Sequence, residues 1–240
     1  MADYQEYLKA EREKEWRAVL RKATPNKERT SLIRVKMPER EPLERIKYQD
    51  KEVNLGLTPE QAMAEARRCL DCPTPTCIEG CPVSINIPKF VKNIERGEFL
   101  EAAKTLKETS SLPAVCGRVC PQEKQCEAQC FYTVKMQKVP VAIGHLERFA
   151  ADFERESGQI SVPEIKIPNG IKVAAIGSGP ASLSFAGDMV KLGYDVTVFE
   201  ALHEIGGVLK YGIPEFRLPN NIVDVELQNL QKMGLKFETI

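Results

Sequence analysis

The sequence has no excess of charge of either sign and no long apolar run. Its 240 residues carry 34 Lys and Arg against 34 Asp and Glu, so no basic surplus exists to neutralise a phosphate backbone and a nucleic-acid partner is not expected. No stretch approaches the roughly 18 apolar residues of a membrane span, and the charged start MADYQEYLKAEREKEW has no signal-peptide core. We therefore expect a cytoplasmic protein without a membrane span.

Histidine is also scarce. The two histidines, His145 and His203, are far apart in the chain, and no nucleophile is paired with a base. We expect both to be structural, and the sequence predicts no catalytic residue.

Cysteine, in contrast, is concentrated. Four of the eight cysteines lie in CLDCPTPTCIEGCP (69–82) and four in CGRVCPQEKQCEAQC (116–130). A disulfide framework, a zinc site and iron–sulfur clusters are the candidate explanations. Disulfides are rare in a reducing cytosol, and a structural zinc site normally uses two close pairs separated by a longer loop.

The spacing favours two [4Fe–4S] clusters over the zinc and disulfide alternatives. In ferredoxin-type runs three close cysteines hold one cluster, and a fourth, followed by proline, reaches the other cluster. Cys81-Pro82 and Cys120-Pro121 fit the role of that fourth cysteine. The first run departs from the standard one because four residues, instead of two, separate its second and third cysteines. Counted by spacing alone, the eight thiols make two four-thiol sites.

The chain divides into four stretches. Residues 1–50 predict a charged N-terminal helix and an extended arm, 51–157 an α-helical iron–sulfur domain, 158–170 a linker and 171–240 a partial dinucleotide-binding domain. In LTPEQAMAEARRC, Thr58, Pro59 and Gln61 predict a capped helix start with a capping box, and Cys69 should lie at the helix end. Two helices should follow, hinged at Gly97, and then another over VAIGHLERFAADFERE.

The last stretch has the pattern of a βαβ unit. IKVAAIGSGPASLSFAGDMVKLGYDVTVFE reads as strand, glycine turn, helix and strand, followed by a helix that ends at Gly234 and a third strand. The fold class is thus α + α/β, a helical twin-cluster domain followed by a partial Rossmann-type FAD-binding domain with three parallel strands at most.

The glycine turn predicts a dinucleotide site. Gly177 permits the tight turn, and Gly179 lets the backbone approach a pyrophosphate at the helix N-terminus. Glu200 ends the second strand, 23 residues after Gly177, where a carboxylate can hold a ribose hydroxyl. The alternative is an ordinary glycine turn with a surface glutamate. The predicted loop residues are Gly177, Ser178, Gly179, Pro180, Ala181 and Ser182.

Five ordered motifs resemble a known family. CLDCPTPTCIEGCPVSINIPKF, CGRVCPQEKQCEAQC, VAIGHLERF, GSGPAS and GGVLKYGIPEFRLP are similar to the N-terminal part of the glutamate synthase small (β) subunit. The wider family includes the flavin subunit of NADH-dependent ferredoxin:NADP oxidoreductase and the N-terminal half of dihydropyrimidine dehydrogenase. The resemblance implies electron transfer from NAD(P)H through FAD and two [4Fe–4S] clusters to a large catalytic partner subunit, in glutamate synthase before the other cases.

Other functions stay open beside this one. The chain could be the flavin subunit of a ferredoxin:NADP oxidoreductase, a non-enzymatic electron-transfer adaptor or a zinc-stabilised interaction module. Family members are about twice as long, so we expect this polypeptide alone to hold clusters, to bind FAD weakly or not at all, and not to oxidise NAD(P)H.

The resemblance also implies a ligand set that differs from the count by spacing, with Cys116 as a spare thiol. A carboxylate, Glu147, replaces the eighth thiol; its alternative is a glutamate on the helix surface. The implied ligands are Cys69, Cys72, Cys77 and Cys130 for one cluster, and Cys81, Cys120, Cys126 and Glu147 for the other. For FAD, the loop 177–182 would face the pyrophosphate, Glu200 the ribose, and Gly206, Gly207, Val208 and Leu209 the flavin. Arg217 would lie beside them, with a plain surface charge as the alternative.

Overall fold

The computed structural model describes residues 2–239 as fourteen α-helices, one short 3-10 helix and three strands. The N-terminal and helical parts contain α1 Ala2–Glu13, α2 Glu15–Ala23, α3 Asn26–Arg29, α4 Pro42–Lys47, α5 Pro59–Ala66, α6 Thr76–Glu79, α7 Ile87–Glu95, α8 Phe99–Lys107, α9 Pro113–Val119, a 3-10 turn Gln122–Lys124, α10 Phe131–Met136 and α11 Ile143–Ser157. The C-terminal part contains β1 Lys172–Ile176, α12 Pro180–Lys191, β2 Asp195–Glu200, α13 Val208–Tyr211, α14 Asn220–Lys232 and β3 Lys236–Thr239.

The N-terminal segment differs from the single helix that the sequence predicts. It forms two helices, α1 and α2, separated at Lys14, whose backbone is extended (φ −54°, ψ 137°). The break changes the direction of the chain, so that Arg12 of α1 and Arg17 of α2 both reach Asp71 in the first cysteine run. The following arm lies against the helical domain, where the Arg34 guanidinium pairs with Glu127 at 2.9 Å.

The helical domain begins as predicted. Thr58 and Gln61 form the capping box, and Pro59 is the first residue of α5. The helix ends at Ala66, earlier than predicted, because the N–H groups of Arg68 and Cys69 bond three residues back, to the carbonyls of Glu65 and Ala66. This tightened turn releases the chain into the cysteine run.

Helices α5, α7, α8 and α11 enclose the first core. Phe90, Val91, Ile94, Leu106 and Leu146 are almost completely buried there. An aromatic cluster closes one side, where the Phe99 ring meets those of Phe149 and Phe153 with centroids 5.0 and 4.8 Å apart. Helices α7 and α8 are the pair predicted to hinge at Gly97, which has φ +84°.

The C-terminal part has the predicted βαβ order. Its three strands are parallel in the order β1-β2-β3, with Lys172 opposite Asp195 and Thr197 opposite Lys236. Helices α12 and α14 cover the sheet through Leu183, Ala186, Leu227 and Leu230. The sequence prediction of a helical domain followed by a three-strand parallel sheet is therefore confirmed.

Helix α9 joins the two parts. Its residues Ala114 and Val115 belong to the core of the C-terminal part, while Cys116 and Gly117 face α11. The Ala114 N–H donates to the buried carboxylate of Glu226 on α14, 2.6 Å away. Across the part of the chain that the structure describes, no helix has both the length and the apolar character to cross a membrane.

Candidate electron-transfer site

Four cysteines from the two runs converge on one pocket. Cys69 and Cys72 follow α5, Cys77 lies on α6, and Cys130 caps the N-terminus of α10. All four line the same apolar pocket together with Val91. The structure thus brings together the four thiols that the family resemblance implies for one cluster.

A second group lies where the loop after α6 meets α9 and α11. It contains Cys81, Cys120, Cys126 and Glu147. Burial raises the pKa of each of the three thiols, and the Glu147 carboxylate raises it further. Cys81 therefore does not share a pocket with its three neighbours in sequence. The run 69–82 supplies thiols to both groups.

Glu147 is buried, with only 6% of its surface exposed, so the alternative of a helix-surface glutamate is wrong. Its Oε1 atom is buried and has no hydrogen-bond partner among the described residues. Burial, with a smaller effect of Glu226, raises the pKa of Glu147 to about 8. An orphaned carboxylate oxygen beside three thiols fits the oxygen ligand of a metal cluster, since a positive iron would supply the missing partner.

Two glycines permit the close approach of the elements that carry the second group. A Cβ atom at Gly117 would lie 2.5 Å from the Arg148 backbone nitrogen, so α9 and α11 could not meet there with a larger residue. A Cβ atom at Gly80 would lie 2.7 Å from the Gln125 carbonyl oxygen. These contacts hold α9 against α11, and the end of α6 against the second cysteine run.

Burial also controls the other thiols. It raises the pKa of Cys72 to about 12 and that of Cys120 to about 11, and it raises the pKa values of Cys69, Cys77 and Cys126. Such thiols stay protonated at neutral pH unless a cation replaces the proton, as a coordinated metal does. Their clustered arrangement, with Cys126 buried and the others half-buried, fits metal ligands.

Among the residues that the structure describes, no three His, Cys, Asp or Glu side chains converge as ligands of a single metal ion. In an iron–sulfur cluster the ligands are distributed over several iron atoms, so they need not meet at one point.

Cys116 lies beside the second group and lines the same apolar cavity as Cys120. Burial, then Glu147, Cys120 and Glu226, raise its pKa. The role of Cys116 as a spare thiol and that of Glu147 as the eighth ligand stay predictions.

Sequence reasoning missed the basic residues that hold the first cysteine run. Asp71, between Cys69 and Cys72, is fully buried with a left-handed backbone (φ +53°). Arg17 forms an ion pair with its carboxylate, Arg21 donates to it at 2.6 Å, and Arg12 donates to its carbonyl oxygen at 2.8 Å. The one signal in the sequence was an acidic residue inside CLDC opposite an arginine-rich N-terminus.

A second set of cations reaches the same run. The buried Lys92 ammonium donates to the Cys69 carbonyl oxygen at 2.6 Å, and the Arg29 guanidinium donates to the Arg67 carbonyl oxygen at 2.5 Å. Both cations also bond the buried carboxylate of Glu95. We use the name arginine clamp for Arg12, Arg17, Arg21 and Arg29.

The predicted nucleotide loop leads from β1 into α12. No side chain or backbone atom outside the loop lies within 4 Å of a Cβ position built at Gly177 or Gly179, so the backbone here is open to a ligand. Gly179 is the residue before the first turn of α12, where free N–H groups favour a phosphate. An open loop at a helix start fits a dinucleotide pyrophosphate.

Glu200 is buried, which excludes the surface alternative. Its Oε2 atom accepts hydrogen bonds from the Ser178 N–H at 2.7 Å and the Ser178 hydroxyl at 2.5 Å, and its Oε1 atom accepts from the Leu202 N–H at 2.9 Å. The Ser178 hydroxyl in turn accepts from the Gly206 N–H at 2.9 Å. The carboxylate therefore ties the loop 177–182 to the second glycine loop.

The residues predicted along the flavin lie in two places. Val208 and Leu209 line an apolar cavity of about 260 Å³ between α12 and α9, whose wall also includes Pro180 and Cys120. Arg217 is exposed and lines a separate polar cavity of about 460 Å³ with Arg118, Arg148 and Cys120. The two cavities share Cys120, so the second cysteine group adjoins the nucleotide-binding part.

The two histidines lie in different surroundings, and His145 lines the polar cavity that contains Cys120. Burial, together with Arg34 and Arg148, lowers the pKa of His145 to about 4, and its Nδ1 atom has no hydrogen-bond partner in the described structure. The His203 ring packs edge-on against Tyr211 with centroids 5.7 Å apart.

Two family models match the chain. Residues 45–159 match the dihydropyrimidine dehydrogenase domain II model, described as a 4Fe-4S cluster domain, and residues 176–235 match the NAD(P)-binding Rossmann-like domain. Together with the pockets described above, these matches define an iron–sulfur domain followed by a nucleotide-binding domain. This order of domains is the one that the sequence predicts.

Several curated relatives are similar to most of this chain. The NAD-dependent dihydropyrimidine dehydrogenase subunit PreT of Escherichia coli K12 is 41% identical over 188 residues, which are 78% of this chain and 45% of that protein. The glutamate synthase [NADPH] small chain of the same strain is 38% identical over 202 residues, 84% of this chain and 42% of that protein. The putative oxidoreductase UacF, also from that strain, is 38% identical over 187 residues, 78% of this chain and 29% of that protein.

Over the residues it shares with them, the chain is thus similar to the N-terminal part of both the glutamate synthase small chain and PreT. It spans less than half the length of these relatives. The resemblance inferred from the five motifs is confirmed.

Proposed function

We propose that this chain is the electron-transfer part of an NAD(P)H-dependent flavin and iron–sulfur oxidoreductase that passes electrons to a larger partner subunit. One observation carries the proposal: a helical domain holds two groups of buried and half-buried ligand-type side chains, and the second group adjoins an open nucleotide loop. Bound FAD would supply the conversion of a hydride into single electrons, and two [4Fe–4S] clusters would carry those electrons.

The two cysteine groups have distinct proposed roles. Cys69, Cys72, Cys77 and Cys130 would hold the first cluster, and Cys81, Cys120 and Cys126 the second, with Glu147 as its oxygen ligand. The orphaned Oε1 atom of Glu147 supports the last assignment. A carboxylate among thiolates adds a hard ligand and negative charge, and so changes the potential of the second cluster.

The loop 177–182 would bind the FAD pyrophosphate through the helix start, and Glu200 would fix the loop and face the ribose. Both oxygens of Glu200 already accept bonds from the chain, so its first task in this proposal is to hold Ser178 and Gly206 in place. Val208 and Leu209 would pack against the flavin, because they line the apolar cavity next to Cys120. The second cysteine group is then the one that receives electrons first.

Spectroscopy and iron counting test the proposal. After anaerobic reconstitution, the protein should be brown, absorb broadly near 400 nm and contain about eight iron and eight sulfide per chain. Dithionite should bleach this absorbance and produce the electron paramagnetic resonance of reduced clusters. A colourless protein that holds zinc instead would contradict the proposal.

The relatives indicate two candidate complexes that would accept the electrons. A glutamate synthase role follows from the five motifs, while the PreT relatives, at 41–42% identity, favour a pyrimidine-reducing complex equally well. Affinity purification from the source cells distinguishes them. A large glutamine-amidotransferase subunit supports glutamate synthase, and a dihydropyrimidine-oxidising flavoprotein supports the other.

We further propose that this polypeptide does not oxidise NAD(P)H by itself. The sequence holds one glycine-rich loop of the dinucleotide type, at 177–182, and the proposed chemistry needs sites for both FAD and a nicotinamide nucleotide. Turnover of NADPH with an artificial acceptor by this polypeptide alone would contradict this proposal.

A further inference from the structure

An apolar surface covers the first cysteine group. Cys130 caps α10, and the next residue, Phe131, lines the same pocket as the four thiols. Phe131 is nevertheless 42% exposed, and Val134 and Val139 are 47% and 59% exposed. Phe131 therefore connects the pocket of the first group with exposed apolar side chains.

The N-terminal arm extends this surface. The Lys138 ammonium donates to the Thr30 carbonyl oxygen at 3.0 Å, and the Arg68 guanidinium donates to the carbonyl oxygens of Leu32 and Val139 at 3.3 and 2.6 Å. These bonds fix residues 30–33 beside residues 138–139. Ile33, at 89% exposure, is thus a neighbour of Val139.

The same surface is basic, although the whole chain is neutral. The three stretches that form it, 30–38, 66–76 and 131–142, each contain two Lys or Arg, and their one acidic residue is the buried Asp71. Arg34 and Arg68 pair with the buried carboxylates of Glu127 and Glu65. Lys36, Arg67, Lys135 and Lys138 remain as exposed cations.

We propose that this basic apolar face, formed by Ile33, Phe131, Val134, Lys135, Lys138 and Val139, is the docking site of an acidic protein that accepts electrons from the first cysteine group. The inference rests on the proposed function. Apolar side chains surrounded by cations suit a transient protein contact, because opposite charge speeds the encounter and a small apolar area permits release. The proposal commits to an acidic protein partner, and not to a lipid surface or to nucleic acid.

Two small haem proteins of opposite charge serve as probes. Cytochrome b5 is acidic and cytochrome c is basic, and both accept one electron. Dithionite-reduced protein, freed of excess reductant, is mixed with each: every transfer oxidises one cluster by one electron and reduces one haem iron from Fe(III) to Fe(II), with no proton required. We expect fast reduction of cytochrome b5 that slows as salt is added, and slower reduction of cytochrome c.

Charge reversal locates the contact. Lys135→Glu with Lys138→Glu should lower the rate with cytochrome b5 by roughly tenfold or more at low salt and raise the rate with cytochrome c. The matched control, Lys172→Glu with Lys232→Glu, reverses two exposed lysines of the nucleotide-binding part and should leave both rates within about twofold. Ile33→Ser with Val139→Ser should weaken cytochrome b5 binding, measured by titration without electron transfer, at high as well as low salt.

The outcomes separate the inference from the function on which it rests. If wild-type protein holds no reducible cluster, the proposed function is wrong. If the clusters are present and both lysine pairs act alike, the docking face is wrong. Binding to phosphatidylserine vesicles that the Lys135 and Lys138 changes abolish, without an effect on cytochrome b5, would also overturn the inference by assigning the face to a membrane.

Discussion

The two cysteine groups lie in the same domain in different charge environments, although each has charges of both signs nearby, Asp71 beside the first and Arg118 and Arg148 beside the second. The first contacts the arginine clamp and Lys92 through the run 69–72 and lies beneath a basic surface. The second contains Glu147, with the buried Glu226 close enough to raise its pKa. Positive surroundings favour the more negative, reduced state of a cluster and negative surroundings oppose it. We therefore expect the first cluster to be reduced more easily, so that electrons move from the second group to the first.

The largest difference between the two groups should appear when one ligand of one group is removed. Cys130→Ser should remove the first cluster alone, lowering iron from about eight to about four per chain, because Cys130 lines only the first pocket. Cys116→Ser is the control and should keep all the iron. Iron and sulfide analysis measures both. Loss of a cluster in Cys116→Ser but not in Glu147→Ala would show that Cys116, and not Glu147, is the eighth ligand.

A change in the arginine clamp should have the next largest effect, on the free energy of unfolding. Arg17→Met leaves the buried carboxylate of Asp71 with Arg21 as its one remaining side-chain partner, and should lower the free energy of unfolding by about 3 kcal/mol. Denaturant unfolding measures this, and the first cluster should be lost before the second. Lys104→Met, on an exposed pair with Glu101, is the control and should cost less than about 0.5 kcal/mol. Equal effects of the two changes would contradict a structural role of the clamp.

A conservative change at Glu147 should alter the reduction potential of the second cluster without removing it. Glu147→Gln keeps an oxygen ligand but removes its negative charge, so the second cluster should become easier to reduce and the difference between the two potentials should narrow. A redox titration followed by electron paramagnetic resonance measures both potentials in one sample. Glu147→Ala should lose the second cluster, and unchanged potentials in Glu147→Gln would contradict ligation by Glu147.

A smaller effect is expected on how the free energy of unfolding depends on pH. Burial raises the pKa of Glu226 to about 7, so the folded protein binds a proton that the unfolded chain releases from its ordinary value near 4.5. Its contribution to stability is complete below about pH 4.5 and decreases as pH rises towards 7, by on the order of 1 kcal/mol per pH unit. Glu226→Gln should reduce this slope in the free energy of unfolding, and the buried Glu147, whose pKa is also raised, should account for the slope that remains. An unchanged slope in the variant would assign it to other groups.

Local patterns predicted the elements well because they depend on neighbouring residues. The capping box of Thr58 and Gln61, the hinge at Gly97 and the strand–loop–helix order around Gly177 all formed as the sequence indicated. The Cys-Pro pattern indicated that Cys81 belongs to a different group from Cys69, Cys72 and Cys77. Spacing alone did not place Cys130 with the first group or Glu147 with the second, and those assignments followed from the family resemblance.

The arginine clamp was unpredictable for a related reason. Arg17 and Asp71 are 54 residues apart, and a charged N-terminus is equally compatible with a solvated helix. A buried ion pair becomes visible only when the fold removes both partners from water. Likewise, the close approach of α9 and α11 at Gly117 has no signature in the sequence beyond the glycine itself.

The bond from Ala114 to Glu226 has a consequence for the order in which the two sites mature. Every residue of the first pocket has been synthesised once the ribosome passes Ile143, so this site can form early. The helix that leads to Cys120 is seated against α14, more than seventy residues further along the chain than Ile143. We expect cluster insertion to proceed in two stages, with the second completed only after the nucleotide-binding part has folded.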